Sequence, residues 1–245
     1  MRSYGALAFW YDSLTGDIPY ESFADFYESV MKARNAKVST FLDLACGTGT
    51  LSCIMARRGY DVISVDASPE MLAEAAEKTA ELPDGVIVPM LLCQDMTELD
   101  LNDTVDMAVC CLDGFNYLPP EDLPEVFHRL RLFISPGGLL IFDINSPERL
   151  RSLDGGTFVD ESDDVLCLWR GEFDEDENCL CYYMDIFSRE DRLWRRDEEE
   201  HVEYAHSLEE LTALLTAEGF EDIEISSAGP QHDQGRIFII AKRGQ

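Results

Sequence analysis

The chain has 245 residues, 46% hydrophobic and 10% aromatic. That is enough to bury one α/β core without disulfides or a structural metal, and far from the composition of a disordered chain. With 49 acidic against 19 basic residues the formal net charge is −30, a field that repels polyanions and excludes nucleic acid as a partner. No apolar run approaches the ~18 residues of a membrane span, and no basic stretch leads into an apolar one after Met1, so the expectation is a soluble, cytoplasmic protein off the membrane.

The N-terminal stretch crowds Phe9, Trp10, Tyr11, Tyr20, Phe23, Phe26 and Tyr27 into a short span. The spacing predicts an amphipathic helix from Tyr20 to Met31 that buries Phe23, Phe26 and Tyr27. Tyr11 and Tyr20 flank the stretch containing Gly16 and are left to offer a hydroxyl and an aromatic face each.

From residue 38 to residue 144 short apolar runs alternate with amphipathic stretches, the pattern of parallel strands joined by crossover helices. The expected strands are Val38 to Leu44, Asp61 to Val65, Val86 to Cys93, Val105 to Cys111 and Leu139 to Ile144. Ser68 and Pro69 open one helix as N-cap and first residue; Pro120 opens another, which the Ser135-Pro136-Gly137-Gly138 turn ends. After Pro147 the pattern changes to extended runs, Asp164 to Phe173, Cys179 to Phe187 and Leu193 to Tyr204, an inserted antiparallel meander whose Leu168, Phe173, Tyr183 and Phe187 need a partner face. Residues 160–203 carry 17 acids and 5 arginines, read as a solvated face. Ser207 to Glu210 forms a capping box, Gly219 closes that helix, and Phe220 to Ser226 and Arg236 to Ala241 complete the sheet. The eight cysteines, at 46, 53, 93, 110, 111, 167, 179 and 181, lack zinc-knuckle spacing; free buried thiols and no metal are expected.

Three motifs carry chemistry. In Phe41-Leu42-Asp43-Leu44-Ala45-Cys46-Gly47-Thr48-Gly49-Thr50 an apolar strand ends in an acid and runs into glycines that let backbone approach a ligand. The place of the third glycine of a dinucleotide fingerprint is taken by Ser52, which disfavours a nicotinamide cofactor and favours S-adenosylmethionine. Val62 to Asp66 then puts a carboxylate at the end of the second strand, able to accept from a ribose diol, with Ala67 and Met71 beside it. Gln94-Asp95-Met96 follows the third strand, Asp95 facing an adenine amino group and the Met96 backbone the ring.

The order of these motifs, with Ser135 to Gly138 before the fifth strand, resembles the class I S-adenosylmethionine-dependent methyltransferase superfamily. Phe9 to Asp12, Ile18 to Tyr20 and Asp143 to Pro147 are similar to a bacterial small-molecule branch that resembles sugar-nucleotide N,N-dimethyltransferases. The resemblance implies a Rossmann-like, doubly wound seven-stranded sheet with its last strand antiparallel. It also places Tyr11 near the methionine end of the cofactor and Cys111 and Leu112 at its border. Ala45 departs from the family's usual glycine. The expected organisation is a cofactor-binding core of residues 1–146 and 206–245 with an inserted antiparallel β cap of residues 147–205 over the substrate.

The expected activity is methyl transfer to nitrogen or oxygen of a small molecule, by a monomer or homodimer. A cofactor-binding regulator without turnover and a nicotinamide-dependent reductase are the alternatives. Catalysis can rest largely on positioning; Tyr11, Asp113, Asn116 and Tyr117 are the candidate catalytic residues, Asn116 having a helix cap as its other reading. Of the four histidines, His128 reads as surface, His201 and His206 lie within reach of the substrate, and His232 has no assigned role.

Overall fold

The computed structural model describes residues 4–231 and 235–245; His232 lies outside them. The N-terminal stretch forms two helices, α1 (Leu7–Leu14), which the sequence did not announce, and α2 (Tyr20–Ala33). Phe23 and Tyr27 of α2 are fully buried, and Phe26 packs 4.8 Å from Phe238.

Strands β1 (Thr40–Leu44), β2 (Asp61–Asp66), β3 (Met90–Cys93), β4 (Val105–Cys110) and β5 (Ile134–Asn145) pair in parallel. Helices α3 (Thr50–Arg57), α4 (Pro69–Ala80) and α5 (Leu123–Phe133) connect them. With β10 (Phe220–Ser226) and β11 (Arg236–Arg243) they make a seven-stranded sheet in the order β10-β11-β5-β4-β1-β2-β3, in which β11 runs antiparallel to both neighbours. Helix α7 (Leu208–Ala217) precedes β10, with Ser207 accepting from the Glu210 amide at its start. Helices cover both sheet faces: Leu42, Ala108 and Phe142 pack toward α5 and α7, and Phe41, Met107 and Ile141 toward α2 and α3. Burial on both faces is why these strands read as continuous apolar runs.

Helix α5 starts at Leu123 rather than at Pro120, and β1 at Thr40 rather than Val38; two further boundaries differ for a physical reason. Ser135 to Gly138 lies inside β5, where the register against β4 shifts between Val105 and Met107. Gly137 takes φ +82°, and a Cβ on Gly138 would stand 2.7 Å from the Asp106 carbonyl, so the glycines make a bulge where a turn was expected. The third strand starts at Met90 because Pro89 offers no amide to its neighbour.

After α6 (Pro147–Ser152) the insertion folds as a four-stranded antiparallel sheet in the order β6 (Thr157–Glu161), β7 (Val165–Asp174), β8 (Cys179–Glu190), β9 (Leu193–Tyr204). Its buried apolar positions are Val165, Cys167, Cys179, Leu180, Tyr182 and Ile186; Leu168, Phe173, Tyr183 and Phe187 are only half-buried. Leu168, Tyr183 and Phe187 are one residue out of phase with the buried face, whereas Phe173, paired with Leu180, packs on it; Tyr182 and Ile186 are the side chains that meet α6 and α1. The acids of this segment are not all solvated either: Glu199 and Glu203 are buried. All eight cysteines are free, and among the described residues no helix is long and apolar enough to cross a membrane.

Candidate functional site

The strand order reverses between β1 and β4, and a cavity of about 540 Å³ opens beyond their carboxyl ends. The position is that of the ligand crevice in open α/β sheets, and the volume falls within the ~300–1,000 Å³ of small-molecule sites. The loop after β1 forms one wall. Ala45, Gly47 and Gly49 all take left-handed backbone, with φ +54°, +54° and +71°. A side chain on Gly47 would meet no protein atom within 4 Å, leaving bare backbone where the loop lines the cavity, whereas a Cβ on Gly49 would come 3.0 Å from that of Ala75. Gly47 therefore leaves backbone bare at the cavity wall, and Gly49 allows the packing of α3 against α4.

At the end of β2 one carboxylate oxygen of Asp66 accepts from the Gly47 amide and the other from the Ser68 amide, both at 2.8 Å. Burial raises the Asp66 carboxyl above the ordinary aspartate value, and these backbone hydrogen bonds partly offset it. Ala67, Met71, Asp95, Met96, Cys111 and Leu112 also line the cavity. Asp95 spends one oxygen on the amide and hydroxyl of Thr97. Leu112 and Asp113 both take φ +59°, and the two oxygens of buried Asp143 hold their amides at 3.0 Å. Two consecutive non-glycine residues in this region store strain that only surrounding contacts sustain.

Tyr11 and Tyr20 close one side of the cavity and share a hydrogen bond. Asp12 at the end of α1 accepts from Thr48 of the glycine loop at 2.6 Å and pairs with Lys78 of α4 at 2.6 Å, tying the N-terminal helix to the β1 loop. Tyr117 and Tyr4 also line the cavity, the Tyr4 ring in edge contact with that of Tyr11 at 6.0 Å.

Four predicted residues stand behind the lining. Asp43 is fully buried, with one oxygen accepting from the Ser52 hydroxyl at 2.5 Å and the other without a partner among the described residues. Burial pushes its carboxyl up to about 7 against the Ser52 hydrogen bond. Gly49 packs as described. Asp113 pairs with Arg236 at 2.7 Å, and Arg236 also pairs with Asp143. Asn116 is fully buried and caps no helix: its amide donates to the carbonyls of Asn145 and Tyr204, and its oxygen accepts from the Asn145 amide. This clamps β5 to β9 and commits both the amide group and the oxygen of the side chain to backbone.

His206 is buried against the Phe115 carbonyl at 3.1 Å, and His128 is exposed beside Glu218. Sequence reasoning missed Tyr4, which precedes the aromatic cluster, and Glu199, masked by surrounding acids; His201, expected within reach of the substrate, is buried beside Tyr117 with Glu199 as its partner.

Residues 41–138 match a methyltransferase domain family. Over 100% of both chains, at 30% identity and a TM-score of 0.84, the protein is similar to an S-adenosylmethionine-dependent methyltransferase from Clostridium acetobutylicum. The sugar N-methyltransferase KedS8 from Streptoalloteichus shares the fold at 22% identity, covering 92% of this chain and 88% of that one, with a TM-score of 0.77. A glycine/sarcosine N-methyltransferase of Parasynechococcus marenigrum is 30% identical over 140 residues, 57% of this chain and 48% of that protein. The crevice at the strand-order reversal, the bare left-handed loop and the unpartnered Asp43 oxygen beneath it fit S-adenosylmethionine, and the chain belongs to the S-adenosylmethionine-dependent methyltransferases.

Proposed function

We propose that this enzyme methylates the amine of a small molecule. One observation carries the reading: every charged side chain lining the cavity is acidic, Asp66, Glu70 and Asp95, no lysine or arginine lines it among the described residues, and four tyrosines, 4, 11, 20 and 117, complete its wall. Acidic and aromatic surfaces favour cations, which suits a protonated amine as well as the donor itself. Two of the similar proteins named above are N-methyltransferases.

S-adenosylmethionine supplies an electrophilic methyl group on a positively charged sulfur. In this reading Asp66 accepts from its ribose hydroxyls, already fixed in orientation by Gly47 and Ser68, while Asp95 and Met96 hold the adenine. Ala67, Met71, Cys111 and Leu112 border it, and Ala45 and Gly47 present backbone to its methionine end. Gly49 and Asp43 shape that loop from behind. Tyr11 and Tyr20 exclude water from the reacting end, and the 147–205 insertion covers the acceptor. The chain's main contribution is alignment of donor and acceptor, of order 7–11 kcal/mol for well-oriented reactants.

Tritiated-methyl S-adenosylmethionine, incubated with glycine, ethanolamine and glucosamine on one side and catechol and glycerol on the other, tests the reading. Label on an amine supports it. Label on hydroxyl probes alone, or none from a protein that still binds the donor, contradicts it, the second outcome reviving a regulator without turnover.

A further inference from the structure

Strand β9 turns a polar face inward. Alternate residues Glu199, His201 and Glu203 are 5%, 2% and 4% exposed, while Glu198 and Glu200 face solvent. The cost of burying such groups is met only when each has a partner. Glu199 accepts from the amides of Tyr4 and Leu7 at 2.9 Å each and lies 3.0 Å from Nε2 of His201. Nδ1 of His201 lies 3.1 Å from the hydroxyl of Tyr117, which is 2.7 Å from the hydroxyl of Tyr4. Tyr4 and Tyr117 line the cavity, and the histidine and glutamate lie behind them.

The direction of this chain follows from its last member. Burial works to raise the Glu199 carboxyl, and the hydrogen bonds from His201, Leu7 and Tyr4 outweigh it, so Glu199 stays ionised and only accepts. Nε2 of His201 must then carry a proton, which in the neutral ring leaves Nδ1 as an acceptor. Tyr117 therefore donates to His201, and Tyr4 donates to Tyr117. Burial holds both phenols well above their ordinary value, so neither is a base by itself; each can pass a proton only by receiving another.

We propose that Tyr4, Tyr117, His201 and Glu199 form a one-way proton relay that takes the proton the methyl acceptor must lose. The inference rests on the amine reading above. The ammonium proton of the acceptor passes to the Tyr4 oxygen, the Tyr4 hydroxyl proton to the Tyr117 oxygen, and the Tyr117 proton to Nδ1 of His201. The N–H bonding pair stays on the acceptor nitrogen as the lone pair needed for methylation, and the resulting imidazolium is balanced by Glu199. The acidic cavity that attracts an ammonium also stabilises its protonated form. The relay resolves that conflict by giving the proton a buried destination.

Two measurements on the full chain test the relay. In the amine assay, Tyr117→Phe lowers kcat by about 10²-fold, the lower end of general-base effects, with the KM for S-adenosylmethionine unchanged. The loss shrinks as pH rises toward the pKa of the amine, which then arrives without its proton. A loss equal at every pH would mark Tyr117 as structural and overturn the relay. The second measurement needs no acceptor, so it separates failure of the relay from failure of the amine reading. Long-range proton–nitrogen NMR of protein labelled with 15N-histidine, with His201→Gln assigning the signal, is expected to show a neutral ring with its proton on Nε2 near pH 7.5. Tyr117→Phe should move the Nδ1 resonance and leave the Nε2 proton in place. The titratable groups around this ring are Glu199, Tyr4 and Tyr117, with Tyr182 paired across the sheet and Glu203 two residues on; Glu199→Gln, which removes the acceptor at Nε2, should move the Nε2 resonance. A proton on Nδ1, or an imidazolium persisting at that pH, would overturn the relay whether or not any amine is methylated.

Discussion

Asn116 and Tyr117 are neighbours in sequence with opposite fates. Asn116 makes three hydrogen bonds to backbone, of which the two to Asn145 are buried, so Asn116→Ala takes a partner from buried peptide groups and should cost about 2–4 kcal/mol of stability in urea denaturation. Sequence alone weighed the asparagine as a substrate contact or a helix cap, because an amide that clamps two strands distant in the chain has no local signature. A similar contrast separates two aromatic residues of the N-terminal stretch. Tyr11→Ala should cut turnover and weaken the cationic donor more than adenosylhomocysteine, since a ring near a positive sulfur contributes of order 0.5–2 kcal/mol. Phe26→Ala, which loses packing on Phe238, should mainly lower the melting temperature. Calorimetric titration of both ligands into both variants checks the pair; intact turnover and affinities in Tyr11→Ala would reassign that residue to structure.

At the level of elements, strands with both faces buried were legible because nothing polar interrupts them, and the helices around them because caps and prolines mark their starts. Helix α1 escaped notice because no side chain of its own caps it; its first amide, that of Leu7, is held by Glu199, 192 residues away. The inner face of β9 escaped for the same reason, an alternation of acids being indistinguishable by composition from a solvated strand. The insertion buries its apolar side chains on α1 and α6. Expressed alone, residues 147–205 should show no cooperative melt, because a sheet exposing that face has no core of its own. A sigmoidal melt of the fragment would make it an independent domain.

For the whole molecule, charge sets two expectations. Asp43 has its carboxyl raised to about 7 by burial, so the native state retains a proton that the unfolded chain loses near pH 4. Stability from this group is complete below that pH and is lost as pH rises through about 7, by as much as ~1.4 kcal/mol per unit in between. Asp43→Asn should flatten that slope in urea denaturation across pH 4–8; an unchanged slope would place the proton elsewhere. The net charge of −30 predicts no retention of labelled RNA at micromolar protein and physiological salt.

The most direct test of the central claim is calorimetric titration of S-adenosylmethionine into the wild-type protein and Asp66→Ala. Saturable binding of one equivalent by the wild type, weakened about 10- to 150-fold in a variant with unaltered circular dichroism, is the predicted result, because the ribose loses a charged acceptor worth about 1.5–3 kcal/mol. Equal affinity in the two proteins, with the variant folded, would contradict the placement of the donor in this cavity.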